Sequence, residues 1–222
     1  MARLIISYDG TVNDDDALAL GNMLRAAGFE LVLAYVRHAP EFDPRREELA
    51  QHDAELRLLR GAQLLEDPHV SRHVVMNPST RAGLERLAET EGAGLIVFGS
   101  DYRTAPGHVE PGTSAQHLLD GGTVAVAIAP AGHRTRLQGA IRAIAVPLAG
   151  PRNDVARRVA VELADRLQAH LLDTTDGADL IVVGSQPGAP PGRIVLGGDV
   201  RSELSRARAS VLVLPAETPL AL

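Results

Sequence analysis

At 222 residues, with 45% hydrophobic residues and a formal net charge of −6, the chain has enough apolar content for one large domain or two small ones. It lacks the accumulated positive charge that nucleic-acid backbones require. With no cysteine and all 22 basic residues arginine, disulfides, thiolate catalysis and sulfur-ligated zinc are excluded, as are the lysine-dependent phosphate-loop NTPase mechanism and Schiff-base chemistry.

The first predicted strand, Leu4–Tyr8, turns at Asp9-Gly10-Thr11 into a helix from Asp14 to Ala27, with an apolar face of Ala17, Leu18, Leu20, Gly21 and Leu24 and a stop at Gly28. A second strand, Glu30–Val36, precedes a charged helix, Pro44–Leu65, in which Leu49, Leu56 and Leu59 recur near helical spacing. A third strand, Ser71–Met76, leads through Asn77-Pro78-Ser79 into a helix ending at Glu91, and strands Gly94–Gly99 and Val124–Ala129 follow. The strands are continuous apolar runs, the pattern of a parallel sheet buried on both faces. Apolar stretches such as Val124–Ala131 fall short of the ~20 residues that cross a bilayer. No separate apolar segment precedes the first strand, so a cytoplasmic protein without membrane contact is expected.

After a polar, turn-rich linker, Ala131–Arg136, a second β-α series begins: strand Ile144–Leu148, helix Asn153–Gln168, and strands Leu180–Gly184 and Val211–Leu214. This divides the chain into residues 1–131 and 138–216. Only ten residues separate Gln168 from Asp179, too few for a strand plus the usual crossover to a parallel neighbour. Ala169–Asp173 is therefore expected to be a vestigial strand at most, and the second sheet about three strands wide.

The halves share one passage. Ala93–Pro130 recurs as Ala178–Pro215 at a constant offset of 85, pairing Gly99 with Gly184, Ser100 with Ser185, Gly107 with Gly192, Gly112 with Gly197 and Pro130 with Pro215. Such regularity marks a duplicated supersecondary unit. Each copy runs from an apolar strand through a glycine-rich loop into a short helix, an arrangement that presents backbone N–H groups to an anion. In an open parallel sheet Asp9 lies at the same carboxyl edge.

Asp9 after the first strand and Gly99, twelve residues, then Gly112-Thr113-Ser114 after the fourth resemble the universal stress protein family, which carries G-x2-G-x9-G-[ST] at that place. The resemblance covers nearly the whole chain, in the tandem form with the second domain shortened and degenerate. It implies an α/β fold: an open parallel five-stranded Rossmann-like (adenine nucleotide alpha hydrolase-like) sheet followed by a truncated second copy. It also implies an ATP-binding or adenine-nucleotide-binding stress-response protein with a regulatory, non-metabolic role. Asp9 then accepts from the ribose hydroxyls, Val36 supports adenine, Gly99 and Gly112 admit the phosphates, and Thr113 and Ser114 donate to them. Mg²⁺ arrives on the phosphates. In this family domains pair through their last strands, which implies an intramolecular pseudo-dimer here and allows a further homodimer.

The chain departs from the pattern at Tyr102, which stands at the second glycine and either crowds the phosphates or lies along them, with Arg103 and His108 as compensating donors. The second copy has Pro187 at that position, Gly198 for the hydroxyl residue, and Val146-Pro147-Leu148-Ala149 where an aspartate is needed. It is expected to be a scaffold. Asp14-Asp15-Asp16 point about 100° apart on a helix and serve as dipole partners, not a metal cluster. The histidines, His133 among them, are read as surface residues. Two other readings of the protein stand beside nucleotide binding: a structural interaction module whose glycines merely close a loop, and a slow ATPase or self-phosphorylating protein using Thr113 or Ser114.

Overall fold

The computed structural model describes residues 2–146 and 154–222, the side chains of Asp199 and Glu203 excepted. The five strands of the first half form within one residue of their expected ends: β1 (Arg3–Ser7), β2 (Glu30–Arg37), β3 (Ser71–Met76), β4 (Ala93–Gly99) and β5 (Ala125–Ala129). The helices between them start where side chains meet free backbone donors. Helix α1 (Val12–Arg25) begins two residues earlier than expected, and the Asp14 carboxyl group accepts from the Thr11 N–H at 2.9 Å and the Thr11 hydroxyl at 2.7 Å. Asp43 caps α2 (Pro44–Leu64) by accepting from the N–H groups of Arg45 and Arg46, with proline at the first helical position. Ser79 caps α3 (Thr80–Glu91), which ends on Gly92 in the left-handed region, φ 63°.

The second half adds β6 (Ala143–Ala145), α5 (Asp154–Leu167), β7 (His170–Leu172), β8 (Leu180–Gly184), α6 (Gly198–Arg206) and β9 (Ser210–Leu214). The first half also holds α4 (Thr113–Leu119). Two sequence expectations are corrected here. The second half forms no separate sheet: all nine strands make one, in the order β3-β2-β1-β4-β5-β9-β8-β6-β7. It also contributes four strands instead of three, because β7 pairs in parallel with β6, His170 opposite Ala143. A three-residue strand rises only about 10 Å. The seven residues Asp173–Asp179, able to span about 23–25 Å when extended, therefore retrace it without a crossover helix. The expected strand end at Pro147–Leu148 and helix start at Asn153 lie outside the described residues.

Every pairing in the sheet is parallel except the central one, β5 with β9, where Ala127 faces Leu212 in antiparallel register. The last strands of the two halves thus cover each other's edges. Alternation along the strands feeds two cores that both run across the junction. Leu4 and Ile6 share one core with Leu18, Leu58, Leu163 and Leu212 on one face, while Ile5 shares the other with Leu84, Leu118, Leu204 and Val213.

The segment between the halves is clamped, not loose. His133–Arg136 form a short 3₁₀ turn, and the fully buried Asp16 carboxylate of α1 accepts from the Gly132 N–H at 2.9 Å, the Arg134 N–H at 2.7 Å and the Arg134 guanidinium at 3.2 Å. His133 is 6% exposed and its Nε2 has no partner among the described residues, which corrects the surface reading for that histidine. No helix among the described residues is long and apolar enough to cross a membrane.

Candidate functional site

The order β3-β2-β1-β4-β5 means that the chain leaves β1 toward one side of the sheet and later returns on the other, opening a crevice at the carboxyl ends of β1 and β4. Strand register sets what faces it. The pairings Ser7 with Ala34 and Ile6 with Val97, carried two or three residues further, bring Val36, Asp9 and Ser100 to one level on three adjacent strands.

Asp9 is exposed. Its carbonyl accepts from Arg57 at 3.2 Å and its N–H donates to Asp14 at 3.2 Å. Arg60 braces the same turn, donating to the Gly10 carbonyl at 2.7 Å, to Tyr8 Oη at 3.1 Å and to Asp15 at 2.6 Å. Burial, with the neighbouring Asp9 carboxylate adding to it, pushes the Asp14 carboxyl up to about 8. The three aspartates diverge: Asp14 to Thr11, Asp15 to Arg60 and Tyr8, Asp16 to the linker. Among the described residues no group of three or more His, Asp or Glu is placed to hold a metal ion.

Val36 is nearly buried and packs into the core beside α3. Beyond it Arg37 makes a bidentate pair with Glu47 at 2.8 and 2.7 Å, and His38 Nε2 lies 2.8 Å from the Thr80 hydroxyl. These contacts fix the carboxyl end of β2 to the starts of α2 and α3.

The loop after β4 is organised by a residue to which sequence reasoning gave no role. Ser100 is 3% exposed; its hydroxyl donates to the Ala129 carbonyl at 2.7 Å and accepts from the Glu110 N–H at 3.2 Å. The Asp101 N–H donates to the Glu110 carbonyl at 2.8 Å, so residues 101–110 close into a staple on the ends of β4 and β5. Gly99 has its own structural reason, because a Cβ there would overlap the carbonyl oxygen of Asn13 in the first turn of α1. The Asn13 amide reaches over to the Ser100 carbonyl at 2.7 Å.

Gly112 is different. It caps α4 with φ −66° and ψ 168°, a conformation open to any residue, and an added Cβ would meet nothing nearer than 3.9 Å. Neither backbone nor packing requires glycine there, and its bareness leaves open ground beside exposed Thr113 and half-buried Ser114. Tyr102 is 72% exposed. Its ring lies under the Arg103 guanidinium, 4.9 Å to the centroid, and its Oη accepts from Arg103 Nε at 2.7 Å. The pair stacks on itself. His108 lies elsewhere, on a cleft between α4 and α6.

The second copy reproduces the staple bond for bond. Ser185 donates to the Leu214 carbonyl at 2.9 Å and accepts from the Val195 N–H at 3.3 Å, and the Gln186 N–H donates to the Val195 carbonyl at 2.8 Å. The signal was present in the sequence as Ser100 and Ser185 at offset 85. Pro147–Ala149, the counterpart of the Asp9 turn, lie outside the described residues.

No protein-family model and no curated protein matches the sequence. Solved structures do. A universal stress protein from Archaeoglobus fulgidus DSM 4304 superposes with a TM-score of 0.71 at 15% identity, covering 96% of this chain and 98% of that one. A protein assigned to the universal stress proteins from Pseudomonas aeruginosa UCBPP-PA14 gives 0.60 at 14% identity, covering 97% and 93%. A protein of unknown function from Pseudomonas aeruginosa PAO1 gives 0.58 at 14%, covering 97% and 92%. At these identities the likeness is one of architecture, and it runs the length of the molecule: the chain has the universal stress protein fold.

Proposed function

We propose that the crevice at the carboxyl ends of β1, β2 and β4 binds an adenine nucleotide, ATP in the first instance, and that the protein is a nucleotide-regulated stress-response protein of the cytoplasm, not a metabolic enzyme. The observation that carries this reading is the strand register which, continued past the strand ends, sets Val36, the turn at Asp9 and the loop start at Ser100 along one edge of the sheet. Such an edge suits a ligand laid across the switch point, with adenine on the backbone of Val36, ribose on the Asp9 carboxylate and phosphates beside Gly112, Thr113 and Ser114. Three further features favour it. Gly112 leaves space that no fold requirement explains. Tyr102 is turned to Arg103. The Asp14 carboxyl, pushed up to about 8, is largely protonated at pH 7, so the β1–α1 turn opposes an anion with one charge fewer. Mg²⁺ would enter on the phosphates. The second half serves as a built-in partner that closes the edge of β5, an intramolecular pseudo-dimer with no nucleotide of its own.

Isothermal titration with ATP, ADP and AMP at high micromolar protein tests the reading. Saturable heat is expected with at least one of them. Asp9→Ala and Gly112→Ala should each weaken it about tenfold or more, equivalent to about 1.4 kcal/mol, while Gly197→Ala leaves it unchanged. No saturable heat with any of the three overturns nucleotide binding.

A further inference from the structure

The two loop-helix units face each other across the β5–β9 pairing, and they meet unequally. The Ile194 N–H donates to the Gly122 carbonyl at 2.8 Å; 85 residues earlier, the Val109 N–H donates to the Ala207 carbonyl at 3.2 Å. On the Ile194 side a return bond completes the contact, from the Gly121 N–H to the Ile194 carbonyl at 2.9 Å. The counterpart of Gly121 is Arg206. Helix α4 has already ended at Leu119 and Gly121 turns out with φ 95°, whereas Arg206 still belongs to the last turn of α6 and keeps its N–H inside the helix. One side is therefore closed by two bonds and the other held by one.

On the looser side lies a cleft of about 500 Å³, within the range that holds small organic ligands. Both copies wall it at equivalent positions: Gln116 faces Arg201 and Leu119 faces Leu204, with Val109 and Leu196 completing an aliphatic floor whose four members are all under 9% exposed. The charge around it is unbalanced. Arg201 is satisfied by Asp120 at 2.6 Å. Glu110, on the same wall, has no ion pair among the described residues.

We propose that this cleft is a second ligand site, distinct from the crevice at Asp9, and that it takes a small organic ammonium ion with an aliphatic body. The hydrocarbon covers the leucines and Val109, and the ammonium pairs with the exposed carboxylate of Glu110 at the rim. The site does not rest on the nucleotide reading and is tested without nucleotide.

Hexylamine, hexanol and hexanoate are titrated into the full chain carrying labelled leucine and valine methyls and followed by NMR. Hexylamine should shift the methyls of Val109, Leu119, Leu196 and Leu204 with millimolar affinity and bind about fivefold or more tighter than the other two, a preference of about 1 kcal/mol. Glu110→Gln should reduce hexylamine to the level of hexanol. Gln116→Phe, a change at an exposed helical position that fills the mouth, should abolish the shifts from all three. If hexanoate binds tightest, Arg201 reads the ligand and the ammonium assignment is wrong. Equal binding of all three sinks it as well, and shifts confined to other methyls remove the site.

Discussion

The loop after β4 and the loop after β8 share a frame and differ in what stands opposite it. Ser100 and Ser185 make the same donations and receive the same N–H groups, and Gly107 and Gly192 donate to Ala131 and Ala216 at an identical 2.8 Å. The supporting strands differ little in length, seven residues in β4 against five in β8, and five in both β5 and β9. The strands further out diverge more: β1 and β2 have five and eight residues, β6 and β7 three each. A duplicated sequence therefore marks a duplicated scaffold. In the proposed reading the first half differs from the second mainly outside the repeat, at Asp9, Val36 and the arginines of α2 that brace the turn, and inside it at Thr113 and Ser114, where the second copy has Gly198 and Asp199.

The sharpest way to separate frame from site is to change two glycines of one loop. Gly99→Ala drives a methyl group into the Asn13 carbonyl, and backbone overlap in a packed core costs about 3 kcal/mol or more. A fall in Tm of about 6–12 °C is expected by thermal unfolding. Gly112→Ala meets open space and an ordinary conformation, so its Tm should stay within about 1 °C while nucleotide binding weakens about tenfold or more. Equal destabilisation by the two changes would erase the distinction.

The shared frame makes the next largest effect symmetric. Ser100→Ala and Ser185→Ala each remove a hydroxyl that donates to a strand-end carbonyl and accepts from a part-buried N–H, a loss of about 1–2 kcal/mol. Urea unfolding should show the two variants within about 0.5 kcal/mol of each other. A neutral Ser185→Ala alongside a damaging Ser100→Ala would show that the second staple carries no load and that the halves differ in frame as well as in site.

Much of this was legible in the sequence because it rests on local patterns. Apolar runs matched β1, β2, β4, β5, β8 and β9 to within a residue, whereas β3, SRHVVM, is a half-polar edge strand with no buried residue, contrary to strands covered on both faces; the offset of 85 marked the paired loops before any contact was known. What escaped depended on distances between remote segments. The family resemblance implied that the last strands pair, but local pattern did not: one sheet instead of two is decided by the edges of β5 and β9, and an edge does not announce its partner in the chain. The width of the second half turned on a crossover rule that holds for strands of ordinary length and relaxes for the three residues of β7. Asp16 read as a dipole partner because the N–H groups that donate to it, 116 and 118 residues away, are invisible to local spacing; the same fold carries His133 under cover. Gly99 and Gly112 look alike in a motif, and only the position of Asn13 tells them apart.

The acidic turn of the first half and the linker beneath it give a smaller effect that depends on pH. An unfolded Asp14 ionises near 4, but in the fold its carboxyl is pushed up to about 8. Between those values the native state keeps a proton that the unfolded chain has released, so this group's contribution falls as pH rises through the window. His133 runs the other way. Burial, helped by the charge of Arg136, lowers it to about 4 from 6.5. The unfolded chain then gains a proton first, and stability falls as pH drops between those values. The two slopes oppose each other in acid, and above 6.5 only that of Asp14 remains. Wild-type Tm should decline from pH 6.5 to 8, and Asp14→Asn should remove the decline and stand about 2–4 °C above wild type at pH 8. His133→Leu should gain a similar amount at pH 4.5. A flat wild-type profile from 6.5 to 8 would mean that Asp14 is ionised in the fold and that the turn faces its ligand with full charge.

The smallest effect is expected at the position where the first loop departs most from the glycine pattern. Tyr102 stands where a bulky side chain threatens the crevice, yet it is 72% exposed, stacked with Arg103 and bonded to it at 2.7 Å. An exposed pair of this kind holds its geometry by about 0.5–1 kcal/mol, enough to bias the ring outward without fixing the loop, which hangs from Ser100 instead. Tyr102→Ala should therefore change ATP affinity by less than about threefold, under about 0.7 kcal/mol, and leave Tm within about 1 °C. Arg103→Ala frees the ring and is the more informative partner. Affinity that drops in Arg103→Ala and recovers in the double variant shows a ring that blocks the crevice once it is released. Affinity that rises in Arg103→Ala and collapses in the double variant shows a ring that stacks on the ligand. A tenfold gain in Tyr102→Ala alone would contradict the outward ring, and the first loop would then be as closed to phosphate as the second, with its Pro187.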